Sequence, residues 1–198
     1  MEITATMVKQ LRERTGVGMM ECKSALVEAA GDFEKAVVYL RERGLMSAAK
    51  KANRVVCEGI VESYIHAGGK IGVLLEINCE TDFVAKTSEF QSLAHDVAMH
   101  VAAANPQFIK PADIPEAINQ KEREIYRAQM GESSKPPEII EKILQGKLQK
   151  FHEDVCLLEQ AFVKDPQKKI KQLVSEAVAK TGENIQIRRF ARFKIGEE

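Results

Sequence analysis

Apolar residues in the first part of the chain, residues 1–45, recur with the three- and four-residue spacing of amphipathic helices. The first helix is predicted to begin after an N-cap at Thr4 and to stop near Gly16, and the second to end at Gly31. The third is predicted to begin after an N-cap at Asp32 and to end before Gly44. The apolar positions at this spacing are Met7, Val8, Leu11, Met19, Cys22, Leu26 and Ala29, followed in the third helix by Phe33, Val37 and Leu40, which are predicted to face inward. The pattern therefore predicts a small bundle of three helices, which is marginal when it stands alone.

The pattern changes after this bundle. Segment 46–54 is rich in alanine and lysine, has little apolar face, and predicts a helical or semi-rigid linker. Beyond it, runs of alternating apolar residues predict two strands, at about Val55–His66 and Lys70–Asn78. Between the strands, Ala67-Gly68-Gly69 is a hairpin turn signal, because glycine adopts the left-handed backbone conformations that tight turns require.

The sequence leaves the register of this hairpin open. A two-residue loop would place Tyr64 opposite Val73, whereas a three-residue loop would place Ile65 opposite Ile71. A slip of one residue exchanges the buried and exposed faces of a strand, so the buried side chains of the hairpin are not assigned. His66 lies at the hairpin tip in both registers.

Helical spacing returns in the second half of the chain. Ser88–Gln91 has the Ser-x-x-Gln form of a capping box, and the helix that it opens is predicted to end at Asn105-Pro106. The apolar stripe of this helix comprises Phe90, Leu93, Ala94, Val97, Val101 and Ala104. A charged helix at about Glu116–Met130, a break at Ser133–Pro137 and a second helix after the prolines predict a helical hairpin. The second helix carries Ile139, Ile140, Ile143, Leu144, Leu148 and Phe151.

One more helix and one more strand are predicted near the C-terminus. The helix is expected to begin at Asp165-Pro166 and to end at Thr181-Gly182. In the strand, Ile185–Ile195, the apolar positions are Ile185, Ile187, Ala191, Phe193 and Ile195. A three-stranded antiparallel sheet with helices on one face, preceded by the bundle, is an α+β fold. The predicted domains are the helical bundle at 1–45, the linker at 46–54 and the α+β core at 55–198.

Composition is that of an ordinary globular protein, with 44% hydrophobic and 29% charged residues. The formal net charge is +0, which counts against nucleic acid as the main partner. The four cysteines include no Cys-x-x-Cys pair and indicate a reduced, cytoplasmic protein. The N-terminus lacks the basic and apolar regions of a signal peptide, and no apolar run approaches the roughly 18 residues of a membrane span.

The most informative stretch is Asn78–Lys86, which reads Asn-Cys-Glu-Thr-Asp-Phe-Val-Ala-Lys. It lies between a predicted strand and a predicted helix, so a rigid corner can push its acidic and aromatic side chains outward. This nonapeptide resembles the motif of the bacterial elongation factor Ts family, the nucleotide exchange factors for elongation factor Tu. Leu11–Lys23 resembles the N-terminal signature of that family, and the resemblance continues to Ile185–Phe193. It implies that the bundle is of the ubiquitin-associated type.

The resemblance implies roles for three groups of residues. Those expected to enter the G domain of elongation factor Tu beside its magnesium site are Thr81, Asp82, Phe83 and Val84. Those expected to dock on a helix of that G domain are Arg12, Met19 and Met20. His66, within Ser63–His66, matches a contact histidine of the family and is expected to help grip the partner.

The same residues have plainer readings when the resemblance is left aside. Asp82 would cap a turn, and Phe83 would anchor the corner in the core. Met19 and Met20 would belong to the core of the bundle, with Arg12 as a solvated charge. Exposure of the Phe83 ring separates the two readings of the corner.

No pattern typical of catalysis or of a cofactor or metal site is found in the sequence. His95 and His100 are five residues apart rather than the four of the zinc-binding helix motif, and neither a Walker nor a Rossmann glycine pattern occurs. The chain is therefore expected to be no enzyme, to hold no cofactor, and not to bind directly the nucleotide that it releases. The expected partner is elongation factor Tu, in its GDP-bound and nucleotide-free forms.

Two other functions remain open at this point, and so does self-association. The chain could be a helical adaptor whose bundle binds a peptide or a ubiquitin-like fold, or the basic residues of the last strand could bind RNA. Those basic residues are Arg188, Arg189, Arg192 and Lys194. Some members of the resembling family carry a duplicated core, whereas this chain has one copy, so the resemblance implies a homodimer.

Overall fold

A computed structural model describes residues 3–130 and 136–197, apart from the side chains of residues 45 and 47. The helices are α1 (Ala5–Thr15), α2 (Met19–Glu28), α3 (Phe33–Lys51), α4 (Asp82–Ala85), α5 (Ser88–Ala104), α6 (Glu116–Met130), α7 (Pro137–Val155) and α8 (Ile170–Thr181). The strands are β1 (Glu58–Ile65), β2 (Ile71–Cys79), β3 (Ala161–Phe162), β4 (Asp165–Lys169) and β5 (Gln186–Lys194). The chain divides into two compact units. One takes the described residues up to 62 with 75–96 and 172–188, and the other takes 63–74, the described part of 97–171, and 189 onward.

The helices of the N-terminal bundle begin at the predicted caps. The hydroxyl of Thr4 accepts the N–H of Met7 at 3.3 Å, and the carboxylate of Asp32 accepts the N–H of Lys35 at 3.0 Å. Gly16 ends α1 in the left-handed conformation with a φ of 70°. The apolar residues that α1, α2 and α3 bury together are Val8, Leu11, Val17, Cys22, Ala25, Leu26, Ala36 and Leu40.

The prediction that the third helix ends before Gly44 is wrong, since α3 continues to Lys51. Gly44 is buried, and a Cβ atom added there would lie 3.4 Å from the Cβ of Ala179 in α8. Gly44 therefore lies inside a helix that packs against α8 and does not end a helix. Segment 46–54 takes the helical one of its two predicted forms as far as Lys51.

The three-stranded sheet has the order β1-β2-β5 and is antiparallel, as predicted. In the hairpin, the N–H of His66 donates to the carbonyl of Ile71 at 2.9 Å, and the Ile65 side chain comes within 3.1 Å of where a Cβ at Gly72 would lie. These contacts place Tyr64 opposite Val73, the first of the two registers, with a loop longer than the two residues expected for it. Val73 is accordingly buried, whereas Ile65 is 67% exposed.

The predicted alternation of the last strand is only partly correct. Ile187 is half-buried, but the next half-buried side chains of β5 are Phe190 and Arg192, so the alternation skips one position as it does at a β-bulge. Phe193 and Ile195, which were expected on the buried side, are 67% and 75% exposed. An extra residue in a strand moves every later side chain to the opposite face.

Helix α5 lies against the sheet, and its cap differs from the prediction. In the first unit, His95 of α5 is hydrogen-bonded to Glu62 of β1 at 3.1 Å. In the second unit, Arg192 of β5 donates to the carbonyl of Ala102 in α5 at 3.1 Å. The capping hydroxyl is that of Thr87, which accepts the N–H of Phe90 at 3.3 Å, rather than that of the predicted Ser88.

The prediction that the last helix begins at Asp165-Pro166 is also wrong. Residues Asp165–Lys169 form β4, which pairs with β3 through Ala161 opposite Lys169, and α8 begins only at Ile170. Proline is favoured in the first turn of a helix, but it is also tolerated at the start of an edge strand, and pairing with β3 decides between the two here.

Helices α6 and α7 form the predicted helical hairpin. Arg123 and Glu141 form an ion pair between the two helices, and His152 is hydrogen-bonded to Asn119 at 3.2 Å. The predicted break at Ser133–Pro137 lies largely outside the described residues, which end at 130 and begin again at 136.

The predicted α+β class is confirmed by these elements. The division into 1–45, 46–54 and 55–198 stays a prediction. Within the described residues, no helix is long and apolar enough to cross a membrane.

Candidate functional site

The stretch singled out in the sequence forms a corner between a strand and a helix. Strand β2 ends at Cys79, the single turn α4 follows, and α5 begins directly after Thr87. Thr81 has an extended backbone and is the N-cap of α4, since its hydroxyl accepts the N–H of Val84 at 3.5 Å. The corner therefore presents α4 as a separate short projection between two longer elements.

Phe83 is exposed on this projection. Its side chain is among the most exposed large apolar groups of the described residues, at 79%. The reading in which Phe83 anchors the corner in the core is therefore wrong. A phenylalanine ring that remains largely in water leaves most of its burial free energy available for an association.

Asp82, beside this ring, carries a negative charge at neutral pH. Its carboxylate is 2.6 Å from the ammonium group of Lys86, one turn further on. The hydrogen bond from Lys86 holds the pKa of Asp82 below its usual value. Asp82 therefore offers an ionised acceptor next to an apolar ring.

A group of residues that the sequence analysis did not identify braces the corner from a remote segment. Glu183, in the connection between α8 and β5, accepts the N–H groups of Glu80 and Thr81 at 3.1 and 3.0 Å. The other oxygen of the same carboxylate accepts the hydroxyl of Thr81 at 2.7 Å. Because Glu183 lies about a hundred residues from the corner, no spacing or motif in the sequence could reveal this contact.

The hydrogen bonds between the corner and Glu183-Asn184, which we call the brace, run in both directions. The carboxylate of Glu80 accepts the N–H of Asn184 at 2.6 Å and the guanidinium of Arg54 at 3.3 Å. The hydrogen bond from Asn184 lowers the pKa of Glu80. The side chain of Asn184 donates in turn to the carbonyls of Ala52 and Arg54, at 3.3 and 2.8 Å. Three segments distant in sequence are thus joined at the base of α4.

The second predicted group lies at the loop between α1 and α2. Arg12 is exposed in the last turn of α1, and Met19 and Met20 begin α2. Met20 is 74% exposed and Met19 41%, so the reading that places both in the bundle core is wrong. Exposed methionines are adaptable contact groups, because the thioether side chain is flexible and polarisable.

His66 is exposed at the end of the β1–β2 hairpin. Its Nδ1 is 3.1 Å from the hydroxyl of Tyr64. This hydrogen bond fixes the direction of the imidazole ring at the hairpin tip, where the ring is accessible to a partner.

The remaining histidines and cysteines are not arranged as a metal site. The described residues contain no group of three His, Cys, Asp or Glu side chains that could hold a metal ion. His95 is bonded to Glu62, whereas His100 is buried and its Nε2 is 2.9 Å from Gln160. Burial lowers the pKa of His100, so this imidazole is neutral.

The basic residues of β5 are partly neutralised within the fold. The side chain of Arg192 is only 9% exposed, and its guanidinium is 2.5 Å from the carboxylate of Glu197; the ammonium of Lys194 is 2.8 Å from the same carboxylate. Paired cations attract a phosphate backbone less than free ones do. This arrangement disfavours the alternative of RNA binding by the last strand.

Comparison with known proteins gives a consistent result over nearly the whole chain. A sequence profile of the family described as Elongation factor TS matches residues 4–197. Elongation factor Ts of Carboxydothermus hydrogenoformans is 59% identical over 195 residues, which cover 98% of this chain and 90% of that protein. Elongation factor Ts of Thermodesulfovibrio yellowstonii is 59% identical over 197 residues, covering 100% and 98%. Elongation factor Ts of Heliobacterium modesticaldum is 56% identical over 195 residues, covering 98% and 91%.

Proposed function

The chain belongs to the elongation factor Ts family, and from this premise we propose that it acts in translation elongation as the nucleotide exchange factor of elongation factor Tu. It binds the GDP form of elongation factor Tu in the cytoplasm, promotes the release of GDP, and dissociates when GTP binds. It makes and breaks no covalent bond, so it is not an enzyme in the chemical sense, and it needs no cofactor or bound nucleotide of its own.

The observation that carries this proposal is the exposed pair of Asp82 and Phe83 on a braced turn. A guanine nucleotide is held partly by a magnesium ion that neutralises its phosphates. Insertion of the Phe83 ring between the switch elements of the partner displaces groups that coordinate the ion, and the Asp82 carboxylate disturbs its water shell. Weaker magnesium binding then weakens GDP binding.

We call Thr81–Val84 the wedge. Asp82 and Phe83 are the residues that enter the partner, and Thr81 and Val84 support them in different ways. Thr81 caps α4 and receives the brace from Glu183, so it holds the turn in place. Val84 follows Phe83 on the same turn and extends the apolar surface of the wedge.

Arg12, Met19 and Met20 form the docking surface of the proposal. Their exposure around the loop between α1 and α2 suits contact with a helix of the G domain. His66 adds a third contact from the hairpin tip. These residues contribute affinity only, whereas the wedge contributes affinity and also accelerates GDP release.

Thermodynamic linkage gives the proposal a quantitative form. If binding of the chain lowers the affinity of elongation factor Tu for GDP by some factor, GDP must lower the affinity for the chain by the same factor. The complex is therefore tightest when elongation factor Tu is free of nucleotide, and rebinding of nucleotide drives the chain off.

The direct test is the release of a fluorescent GDP analogue from elongation factor Tu, chased with excess unlabelled GDP in a stopped-flow instrument. The release rate is expected to rise with the concentration of the chain and then to saturate. A release rate that is the same with and without the chain would refute the proposal. The same assay excludes a simple adaptor, which would bind without changing the rate.

A homodimer is also part of the proposal, and the outer face of the sheet in the second unit supports it. Four large apolar side chains that lie 48% to 75% exposed there are Ile65, Leu74, Phe193 and Ile195. An apolar sheet face of this kind is typically covered by another layer. Sedimentation equilibrium should give twice the monomer mass of 22.1 kDa, and a mass of one chain at micromolar concentration would contradict the dimer.

A further inference from the structure

The single turn α4 cannot fix its own direction. It comprises only Asp82–Ala85, so it lacks the repeated i to i+4 hydrogen bonds that make a longer helix stiff. The proposed wedge nevertheless has to enter its partner at a defined angle. That angle must come from groups outside α4.

Glu183 is placed to supply it. One carboxylate accepts three donors of the turn's entrance: two backbone N–H groups, of Glu80 and Thr81, and the Thr81 hydroxyl. Since the hydroxyl hydrogen is directed at Glu183, the Thr81 oxygen presents a lone pair to the N–H of Val84. Glu183 thereby orients the cap as well as the backbone that leads into α4.

The other half of the brace keeps Glu183 itself in place. Asn184, the next residue, is held through its N–H by Glu80 and through its side chain by two carbonyls of the segment that follows α3. Rotation of α4 would therefore require several hydrogen bonds to break together, among them bonds to charged groups, which are stronger than neutral ones.

We propose that Glu183 is a positioning residue for nucleotide exchange, whose carboxylate sets the direction in which α4 presents Asp82 and Phe83 to the partner. This inference rests on the exchange function proposed above and adds a residue outside the Thr81–Val84 group. Removal of the carboxylate leaves two backbone N–H groups without their acceptor, so they turn towards water and α4 reorients. Positioning errors on the ångström scale can cost up to about a hundredfold in rate.

The test measures GDP release at increasing concentrations of Glu183→Ala, Glu183→Gln and the wild-type chain, and separates the limiting rate from the half-saturating concentration. We expect Glu183→Ala to lower the limiting rate about tenfold, within the range that misplacement can produce. Glu183→Gln is expected to lower it less, because the amide oxygen still accepts one or two of the donors. The half-saturating concentration should change less than the limiting rate, since Arg12, Met19 and Met20 remain.

The matched control is Glu153→Gln. The Glu153 carboxylate is likewise engaged, with the ammonium of Lys169 at 2.8 Å, but it belongs to α7 in the other compact unit. Its replacement should leave the limiting rate unchanged. An equal loss in Glu153→Gln and Glu183→Gln would overturn the inference, because the effect would then be a general one of lost carboxylates.

A double-mutant cycle distinguishes positioning from a merely structural role. If Glu183 acts through the wedge, Glu183→Ala should change the limiting rate less than about twofold in a chain that already carries Phe83→Ala. Effects that multiply would show an independent role and overturn the inference. Circular dichroism and the unfolding midpoint check that each variant is folded, and Glu183→Gln decides by the same criteria if Glu183→Ala is not.

The outcome for Phe83→Ala alone separates the two levels of the argument. If Phe83→Ala lowers the rate and Glu183→Ala does not, the inference fails while the exchange function stands. If Phe83→Ala itself leaves the rate unchanged, the proposed wedge fails, and the role of Glu183 fails with it.

Discussion

Replacement of Phe83 by alanine tests the wedge with little disturbance of the fold. Burial of a whole phenylalanine side chain contributes roughly 1.5–3 kcal/mol. Because 79% of Phe83 is exposed in the free chain, about 1.2–2.4 kcal/mol of this remains to be gained on docking. The variant should therefore weaken the complex with elongation factor Tu by roughly 7- to 60-fold.

The stability of the chain should hardly change, since surface substitutions usually alter the free energy of unfolding by less than about 0.5 kcal/mol. Phe90 is the matched contrast, because it is fully buried in α5. Phe90→Ala should cost about 3–5 kcal/mol of stability and reduce exchange only through loss of folded protein. Val163→Ala changes a 43% exposed apolar side chain outside the proposed surfaces, and it should change neither the stability of the chain nor the rate of exchange.

The assay combines urea unfolding of each variant with stopped-flow release of fluorescent GDP from elongation factor Tu. Phe83→Ala should keep the urea midpoint of the wild-type chain and lose both affinity and limiting rate of release. Two results would refute the reasoning: unchanged exchange by a folded Phe83→Ala variant, or an exchange defect fully explained by its unfolding.

Three further predictions concern the docking surface, the sheet and the buried histidine. Met20→Ala should raise the half-saturating concentration of the chain severalfold at an unchanged limiting rate; a lower limiting rate with unchanged affinity would remove Met20 from the docking surface. Gly59→Ala should destabilise the fold by more than about 1 kcal/mol. Gly59 has a φ of 145°, and an added Cβ would lie 2.2 Å from the carbonyl oxygen of Ile77. An unchanged urea midpoint would contradict this prediction. The free energy of unfolding should decline as the pH falls below the unfolded histidine pKa of about 6.5, since burial lowers the pKa of His100 in the folded chain and the unfolded chain binds the proton more readily. His100→Gln does not titrate and should flatten that decline; a pH profile identical to that of the wild-type chain would rule His100 out as its source.

The local elements could be predicted because their signals lie within a few residues of each other. The caps at Thr4 and Asp32 need only a short polar side chain one turn before a free N–H, and both predictions are confirmed. The corner at Asn78–Lys86 was placed between a strand and a helix from the same kind of local pattern. The corner allowed an outward Phe83 ring, but alternation could not show that the ring points outward, and the family resemblance decided the prediction.

The errors arose where contacts between distant segments decide the local structure. A glycine such as Gly44 often follows the end of a helix, but here it lies inside α3 and is packed against Ala179 of α8. Asp165-Pro166 is a typical signal for the start of a helix, but these residues pair with β3 and form a strand. The brace from Glu183 belongs to the same class, because its partners are about a hundred residues away in sequence.

The mechanism depends on the magnesium ion of the partner, and the effect of magnesium on GDP release therefore tests it most directly. The measurement is the rate of release of fluorescent GDP from elongation factor Tu, with and without a saturating amount of the chain, first in millimolar magnesium and then in excess chelator. If the wedge acts by loosening the ion, the chain should accelerate release strongly in magnesium and by a clearly smaller factor once the ion has been removed. An acceleration of equal size under both conditions would contradict the account.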